Sequence, residues 1–167
     1  MSPDVVRQRI ERTFADVPRP PDDRVTGSFG DEARDDTEPF KGRDWRDLEP
    51  DLLDYYHYAL VWFTPEAFHY YLPAFLLAGL NHPDAIYVVS TLQLLRPNED
   101  PALDPFSRAR WQQLNAEQIR AVEEWLEWLL GQAQPDSYFA DEVREALQTV
   151  RDRYWWREPA EPGPGKP

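Results

Sequence analysis

The chain has 167 residues, of which 41% are apolar and 14% aromatic, and 31 acidic against 18 basic side chains give a net charge of −13. This length and apolar content are typical of one folded domain and exclude an intrinsically disordered chain. The acidic balance argues against nucleic-acid binding, which needs a basic surface, and the absence of cysteine excludes disulfides and thiolate sites.

Neither end of the sequence nor its interior suggests a membrane or an export route. No apolar run reaches the roughly 18–20 residues that a membrane span needs. The opening residues, Met1-Ser2-Pro3-Asp4, lack the basic and apolar regions of a signal peptide. We therefore expect a cytoplasmic protein that does not enter a membrane.

The first predicted helix covers residues 3–17. Ser2 is a suitable N-cap, and Pro3 suits the first helical position because it has no amide hydrogen to lose. One face carries an apolar stripe, formed by Val6, Ile10, Phe14 and Val17. Prolines at positions 18, 20 and 21 end the helix.

Residues 22–41 are acidic and rich in turn-forming residues, with the acid pairs Asp22-Asp23 and Asp35-Asp36. Compact domains seldom contain a loop of about twenty residues unless it is functional or disordered. The composition favours disorder here.

The segment 47–95 contains no Lys or Arg at all. Its first part has apolar residues at helical spacing, and Thr64-Pro65-Glu66 then predicts a new helix start. Thr64 can accept a hydrogen bond from a free amide, Pro65 has no amide hydrogen, and Glu66 favours the positive helix end.

The helix that begins there is apolar almost all round to residue 80, which predicts a position at the centre of the fold. Pro73 lies inside it. Because proline cannot donate to the carbonyl of His69, it predicts a kink or a break at this point.

Residues 84–95 are ambiguous between helix and strand. The spacing of Ile86, Val89 and Leu92 fits a helix, whereas residues 86–91 are rich in strand formers. We favour a helix, because no second convincing strand is available to pair with this one.

The last third of the chain predicts a short helix within 105–114 and two longer ones. Asn115 and Gln118 approximate a capping box that opens an amphipathic helix, which Gly131 ends, and Ser137 stands at the start of the last helix. The outward face of the amphipathic helix consists of Glu117, Glu123, Glu124 and Glu127. The sequence thus predicts an all-α, single-domain bundle of five or six helices over residues 1–157, with a disordered tail at 158–167.

Two motifs make part of the chain similar to a known family. Thr64-Pro65-Glu66-Ala67-Phe68 and Tyr71-Leu72-Pro73-Ala74 resemble the Ser/Thr-Pro-Glu-Ala-Phe … Tyr-Leu-Pro-Ala core of a family of uncharacterised bacterial proteins. Residues 14–18 and 45–48 also resemble that family. The resemblance covers about a third of the chain and is mostly apolar, so it implies a shared core. The family carries a domain-of-unknown-function label, and the resemblance therefore implies no activity.

Glu66 and His69 form the one motif with the spacing of metal ligands on a helix. Di-iron bundles need Glu-x-x-His twice, with further glutamates from partner helices, and here it occurs once. We interpret Glu66 as stabilising the helix start and His69 as a packing or hydrogen-bonding residue. We therefore predict neither a metal site nor a cofactor, and no catalytic residue.

Acidic and aromatic residues are the candidates for a partner surface. The acidic ones are Asp31, Glu32, Asp35 and Asp36. Trp155 and Trp156 are neighbours that would point about 100° apart in a helix, so one of them is a candidate exposed aromatic. The alternative is that the end of the bundle buries both.

The leading hypothesis is a non-enzymatic protein-binding domain, of the antidote or immunity type, that masks a basic protein. Charge complementarity with a basic partner supports it. One rival is an enzyme that uses Glu66, His69 and a further histidine around a metal or small substrate. The other is a structural or scaffold subunit, and self-association is left open.

Overall fold

The computed structural model describes residues 1–27 and 30–158. Within them the chain is all-helical, as predicted, but it forms nine α-helices where five or six are expected. These are α1 (Pro3–Thr13), α2 (Asp31–Thr37), α3 (Pro50–Tyr55), α4 (Ala59–Trp62), α5 (Pro65–Asn81), α6 (Ile86–Leu95), α7 (Asp104–Trp111), α8 (Ala116–Gln132) and α9 (Tyr138–Arg151). Apart from Glu158, the tail for which we expect disorder lies outside the described residues. None of the described helices has both the length and the apolar composition of a membrane span.

Side-chain caps start the helices where the sequence predicts them. Ser2 accepts from the amide of Val5 at the start of α1, and Thr64 accepts from Ala67 at the start of α5. Asn115 and Gln118 complete both bonds of the capping box of α8. These caps satisfy amide donors that have no partner within the first turn of a helix.

The predicted helix ends are less accurate than the starts. Helix α1 ends at Thr13 rather than at residue 17, and Phe14, the last buried member of its stripe, is already the C-cap. Helix α8 continues through Gly131 to Gln132. A glycine in the last turn costs only about 1 kcal/mol relative to alanine, which the packing of a long helix offsets.

The acidic segment 22–41 is not the structureless loop that its composition predicts. Its described part contains a 3-10 helix at Asp22–Arg24, helix α2 and a second 3-10 helix at Glu38–Phe40. Its backbone pairs with the start of α5, because the amide of Thr64 donates to Val25 and the amide of Gly27 donates to Trp62. Burial of Val25, Ala33 and Phe40 supplies the apolar contacts that composition alone does not reveal.

Helix α5 is buried along most of its length and contacts α1, α6, α7 and α8. It runs without interruption from Pro65 to Asn81, so the prediction that Pro73 breaks it is wrong. Pro73 is itself buried, and packing on several sides outweighs the roughly 3 kcal/mol that an internal proline costs. A kink at Pro73 and a bundle arranged around α5 stay predictions.

The ambiguous segment 84–95 forms helix α6, as we favoured. Strand-forming residues adopt a helix here because their side chains pack against α5 and α9. Among the described residues there is only one β-bridge, between Thr26 and Phe63.

Buried indole groups bind carbonyls at the ends of the short helices. The Nε1 of Trp111 donates to Leu94 at 2.9 Å, and the Nε1 of Trp155 donates to Leu95 at 2.8 Å, both at the C-terminus of α6. Trp156 donates in the same way to Trp111, the last residue of α7, at 2.7 Å. The last carbonyls of a helix have no partner within the helix, so these tryptophans join neighbouring elements by hydrogen bonds as well as by apolar contact.

Gly79 marks the closest approach of α5 to its neighbours. A Cβ at this position would lie 3.1 Å from Trp125 and 3.1 Å from Val88. Because these contacts leave no room for a side chain, we expect Gly79→Leu to lower the free energy of unfolding by about 2 kcal/mol or more. Gly131→Leu is the matched control, since a Cβ there meets nothing within 4 Å. Equal urea midpoints for the two variants would contradict the close packing at Gly79.

Candidate functional site

An acidic groove lies between α3 and α6, with a cavity of about 410 Å³. It is lined by Pro50, Asp51, Asp54, His82, Asp84, Ala85, Ile86 and Tyr87. Asp51 and Asp54 belong to α3, while Asp84 and Ala85 immediately precede α6. The two short helices therefore bring carboxylates from separate parts of the sequence to one surface.

The three carboxylates of this groove lack a compensating positive charge. All three residues are exposed, and in the part of the chain that the structure describes none of them forms an ion pair. Their mutual field acts on Tyr87, whose phenol is buried: burial raises its pKa above the ordinary value of 10.0, and the charges of Asp54 and Asp84 raise it further. The groove is thus a region of negative potential.

Ile86 of α6 lines this groove, and two exposed tyrosines are close to the α3 aspartates in sequence: Tyr55 at the end of α3 and Tyr58 in the turn after it. The relative exposure is 78% for Tyr55, 55% for Tyr58 and 44% for Ile86. The ring centroids of Tyr58 and His57 lie 4.4 Å apart with the planes tilted by 36°, and the Nδ1 of His57 lies 2.8 Å from the hydroxyl of Ser90 on α6. These contacts hold the turn 56–58 against α6, so Tyr58 is presented from an ordered position.

The glutamates of α8, by contrast, are paired within the molecule. The ion pairs join Arg9 to Glu117 and Glu124, Arg120 to Glu124, Arg151 to Glu123 and Glu127, and Arg153 to Glu123. Glu124 is only 9% exposed, so its predicted outward position is wrong. Arg9 of α1 approaches it directly, and this partner from a distant part of the chain makes its burial tolerable.

The four acidic candidates of α2 have different environments. Asp31 pairs with Arg34 at 3.3 Å, and Asp36 accepts a hydrogen bond from the Nε1 of Trp62 at 3.0 Å. Glu32 and Asp35 are exposed, and among the described residues neither has an ion-pair partner. Asp36 therefore has a structural contact, while Glu32 and Asp35 remain accessible to a partner.

Neither Trp155 nor Trp156 is an exposed aromatic. Trp155 is fully buried and Trp156 is partly buried, and both indole groups donate to backbone carbonyls. The helical spacing does not apply to them because α9 ends at Arg151. Arg153 then adopts a left-handed conformation with φ of 54°, which turns the chain back over the core. The end of the bundle therefore buries Trp155 completely and Trp156 in part.

Glu66 and His69 line a cavity of about 230 Å³ with Arg19 and Gln113. Glu66 is exposed, and its carboxylate lies 3.8 Å from Arg24. The Nε2 of His69 lies 2.8 Å from Oε1 of Gln118, an oxygen that also accepts from the amide of Asn115. Because this amide oxygen can only accept, the hydrogen-bond network assigns the proton to Nε2 of His69.

The three histidines occupy separate environments. His57 bonds to Ser90, His69 bonds to Gln118, and His82 lines the acidic groove. Within residues 1–27 and 30–158, no group of three His, Asp or Glu side chains is placed to hold a metal ion.

Sequence reasoning did not select Asp51, Asp54 and Asp84 as site residues. A signal was present, because a stretch of 49 residues without any base cannot neutralise its own acids. The sequence does not reveal that α3 packs on α6. This packing places Asp84 beside two aspartates that precede it by about thirty positions.

The protonation of His69 leads to a testable pH dependence. Burial lowers the pKa of His69 below its ordinary value of 6.5, although the bond to Gln118 opposes this change. The unfolded chain then takes up a proton at higher pH than the folded protein, so the free energy of unfolding falls as the pH drops below about 6.5. We expect a smaller fall between about pH 7 and pH 5 in His69→Gln, measured by urea unfolding.

Gln113→Ala is the control for this measurement, because Gln113 lines the same cavity as His69 and carries no titratable group. It should keep the pH dependence of the unchanged protein. An identical pH dependence in His69→Gln and in the unchanged protein would contradict the burial of a neutral imidazole at position 69.

The comparison with known proteins identifies a family but no activity. A sequence model described as "Family of unknown function (DUF6714)" matches residues 2–159. No curated protein matches the chain. No solved structure matches it either.

Proposed function

The chain belongs to this family of unknown function, and we propose that it is a non-enzymatic protein-binding domain whose acidic groove binds a basic segment of a partner protein. In this proposal the domain masks its partner, as an antidote or immunity protein does. The partner segment carries Lys or Arg side chains opposite Asp51, Asp54 and Asp84, together with apolar groups that contact the exposed tyrosines.

The observation that carries this proposal is the coincidence of uncompensated carboxylates with exposed aromatic side chains. The glutamates of α8 have arginine partners within the chain, whereas the groove acids have none among the described residues. Exposed charge pairs contribute only about 0.2–1 kcal/mol each. The aspartates would therefore mainly accelerate encounter, over a Debye length of about 8 Å. Tyr55 and Tyr58 would supply most of the affinity, as interface tyrosines commonly do.

A second candidate function is an enzyme that uses the cavity of Glu66 and His69. Its support is that both side chains line one cavity with Arg19. Elemental analysis of protein purified without a histidine tag tests it, because stoichiometric metal would favour this candidate over the first. The third candidate, a scaffold subunit, requires stable self-association, which sedimentation measures directly.

The proposal also includes the origin of the protein, its location and a role for the acids of α2. We infer a bacterial protein from the resemblance of Thr64-Pro65-Glu66-Ala67-Phe68 and Tyr71-Leu72-Pro73-Ala74 to the family core. A cytoplasmic location is supported by the opening residues, which do not resemble a signal peptide, and by the absence of cysteine. The acids Glu32 and Asp35 of α2 would add to the long-range attraction of a basic partner, since both are exposed.

The groove is tested by removing its charge without changing the shape of its side chains. We expect the triple variant Asp51→Asn, Asp54→Asn, Asp84→Asn to lose at least about tenfold in recovery of a partner from the native host, measured by quantitative mass spectrometry. With the purified partner, its association should be slower and less dependent on salt. Tyr55→Ala with Tyr58→Ala should instead accelerate dissociation, by about thirtyfold for a loss of roughly 2 kcal/mol.

The matched control removes three charges from other exposed positions. Glu11→Gln, Asp16→Asn and Asp136→Asn give the same net charge as the groove variant, and among the described residues these three acids form no ion pair. The control should retain the partner. Equal losses in the two triple variants would show that net charge acts as a whole, and the groove would then not be the binding site.

A further inference from the structure

Arg110 of α7 is the only arginine in the buried class among the described residues, with 7% relative exposure. One of its terminal nitrogens donates to the carbonyl of Val61 at 2.6 Å, and the other contacts the hydroxyl of Ser107 at 3.4 Å. The Nε group has no hydrogen-bond partner within the described residues. The guanidinium therefore has donor capacity that the protein itself does not use.

The charge of Arg110 has no counter-charge in the part of the chain that the structure describes. No carboxylate lies within ion-pair distance, whereas Arg9, Arg96 and Arg151 each contact two glutamates. Its guanidinium carbon lies 6.0 Å from the ring centroid of Phe68, which is the limit of a cation–π contact. Burial lowers the pKa of Arg110 from 12.5 to about 10, so the group is still charged at neutral pH.

A role limited to folding accounts for only part of this arrangement. The carbonyl of Val61 lies at the end of α4, where carbonyls need an external donor. A neutral amide or indole group would supply that donor, as tryptophans do at the end of α6. A buried cation without a partner is expensive, because the charged form loses its hydration. The hydrogen bond to Val61 thus explains why position 110 carries a hydrogen-bond donor. It does not explain why that donor is positively charged.

Arg110 lines a cavity of about 570 Å³ at the junction of α4, α5 and α7. The lining is formed by Gly27, Phe63, Thr64, Pro65, Pro105, Phe106, Ala109 and Arg110. The hydroxyl of Thr64, its other polar side-chain group, already donates to Arg24 at 2.5 Å and accepts from Ala67 at 3.1 Å. The cavity therefore combines apolar walls with a single cationic group.

We propose that this cavity binds a small organic carboxylate with an apolar body. The carboxylate pairs with the guanidinium of Arg110, whose fork geometry suits two parallel hydrogen bonds. The apolar body lies against Phe63, Pro65 and Pro105. A monoanion fits better than a phosphate, because one guanidinium balances one charge and the lining, as far as the structure describes it, contains no second cation.

The size of the cavity agrees with this class of ligand. Sites for small molecules generally enclose about 300–1,000 Å³ and have mostly apolar walls with a few polar groups that fix orientation. None of the lining residues belongs to the acidic groove. The proposal therefore does not rest on the proposed protein-binding function, and either can fail without the other.

Calorimetric titration of the full chain with butanoate, hexanoate and octanoate at constant ionic strength tests the site. Each added methylene should tighten binding about fourfold until the cavity is full, in line with about 0.8 kcal/mol per buried methylene. Hexanamide has the same body without the charge and should bind at least tenfold more weakly than hexanoate. Equal affinities for hexanamide and hexanoate, or no binding of any carboxylate at 10 mM, would overturn the proposal.

Variants separate the charge from the shape of the cavity. Arg110→Gln removes the charge and should lose hexanoate binding. Ala109→Phe should fill the cavity and also abolish binding, while Ala102→Phe, at an exposed position outside the lining, should bind as the unchanged protein does. Circular dichroism melts confirm that each variant is folded. Retained binding in a folded Ala109→Phe would overturn the proposal.

A peptide C-terminus carries the same chemistry, and one further ligand distinguishes it. N-acetylphenylalanine presents a carboxylate next to a peptide group and an aromatic ring. We expect it to bind more weakly than octanoate, because its peptide amide would lose water against the mostly apolar side chains of the lining. Tighter binding of N-acetylphenylalanine than of every alkanoate would overturn the assignment to a free organic acid.

Discussion

The carbonyl groups at the ends of short helices are the constraint on which this fold depends. Each helix leaves its last carbonyls without a partner, and nine helices within the described residues bring many such groups into or near the core. Long side chains with a polar tip satisfy several of them: Trp111 and Trp155 at the end of α6, and Arg110 at the end of α4. This need explains why a chain of this size devotes so many tryptophans to its interior.

The same constraint decides which residues remain available for function. Tryptophans at 111, 125, 155 and 156 all donate to backbone carbonyls, so none of them is free to act as an exposed anchor. Arginine is used in a similar way around α8, where it neutralises the glutamates of the helix. Tyr55, Tyr58 and the aspartates of the groove are among the exposed side chains that this internal bonding leaves available. The side chains available to bind a partner are thus those that internal hydrogen bonds and ion pairs do not occupy.

The sequence predicts what depends on neighbours a few residues away. The caps at Ser2, Thr64, Asn115 and Ser137 are correct because each bond closes within three positions along the chain. Glu124 and the two terminal tryptophans were predicted less well, because their partners are distant. Glu124 meets Arg9 across 115 positions, and Trp155 meets Leu95 across 60. Periodicity places a residue on a helix face, but it does not reveal which remote side chain occupies the space opposite. The groove was missed for the same reason.

Helix α4 links the two proposed sites, and it consists of only four residues. Four residues are far too few for a helix to be stable alone, so contacts at both ends fix its position. At its start, Tyr58 lies beside His57, which bonds to α6 next to the groove. At its end, Val61 accepts from Arg110 and Phe63 lines the cavity. An alanine at position 110 would leave the Val61 carbonyl unsatisfied at a cost of about 1–3 kcal/mol. Such a change would loosen α4 and disturb both sites together, whereas lysine, whose long side chain keeps a donor for Val61, removes only the planar fork that would pair with a carboxylate. The role of Arg110 in ligand binding can therefore be separated from its role in folding only by a substitution that keeps a hydrogen-bond donor for the Val61 carbonyl.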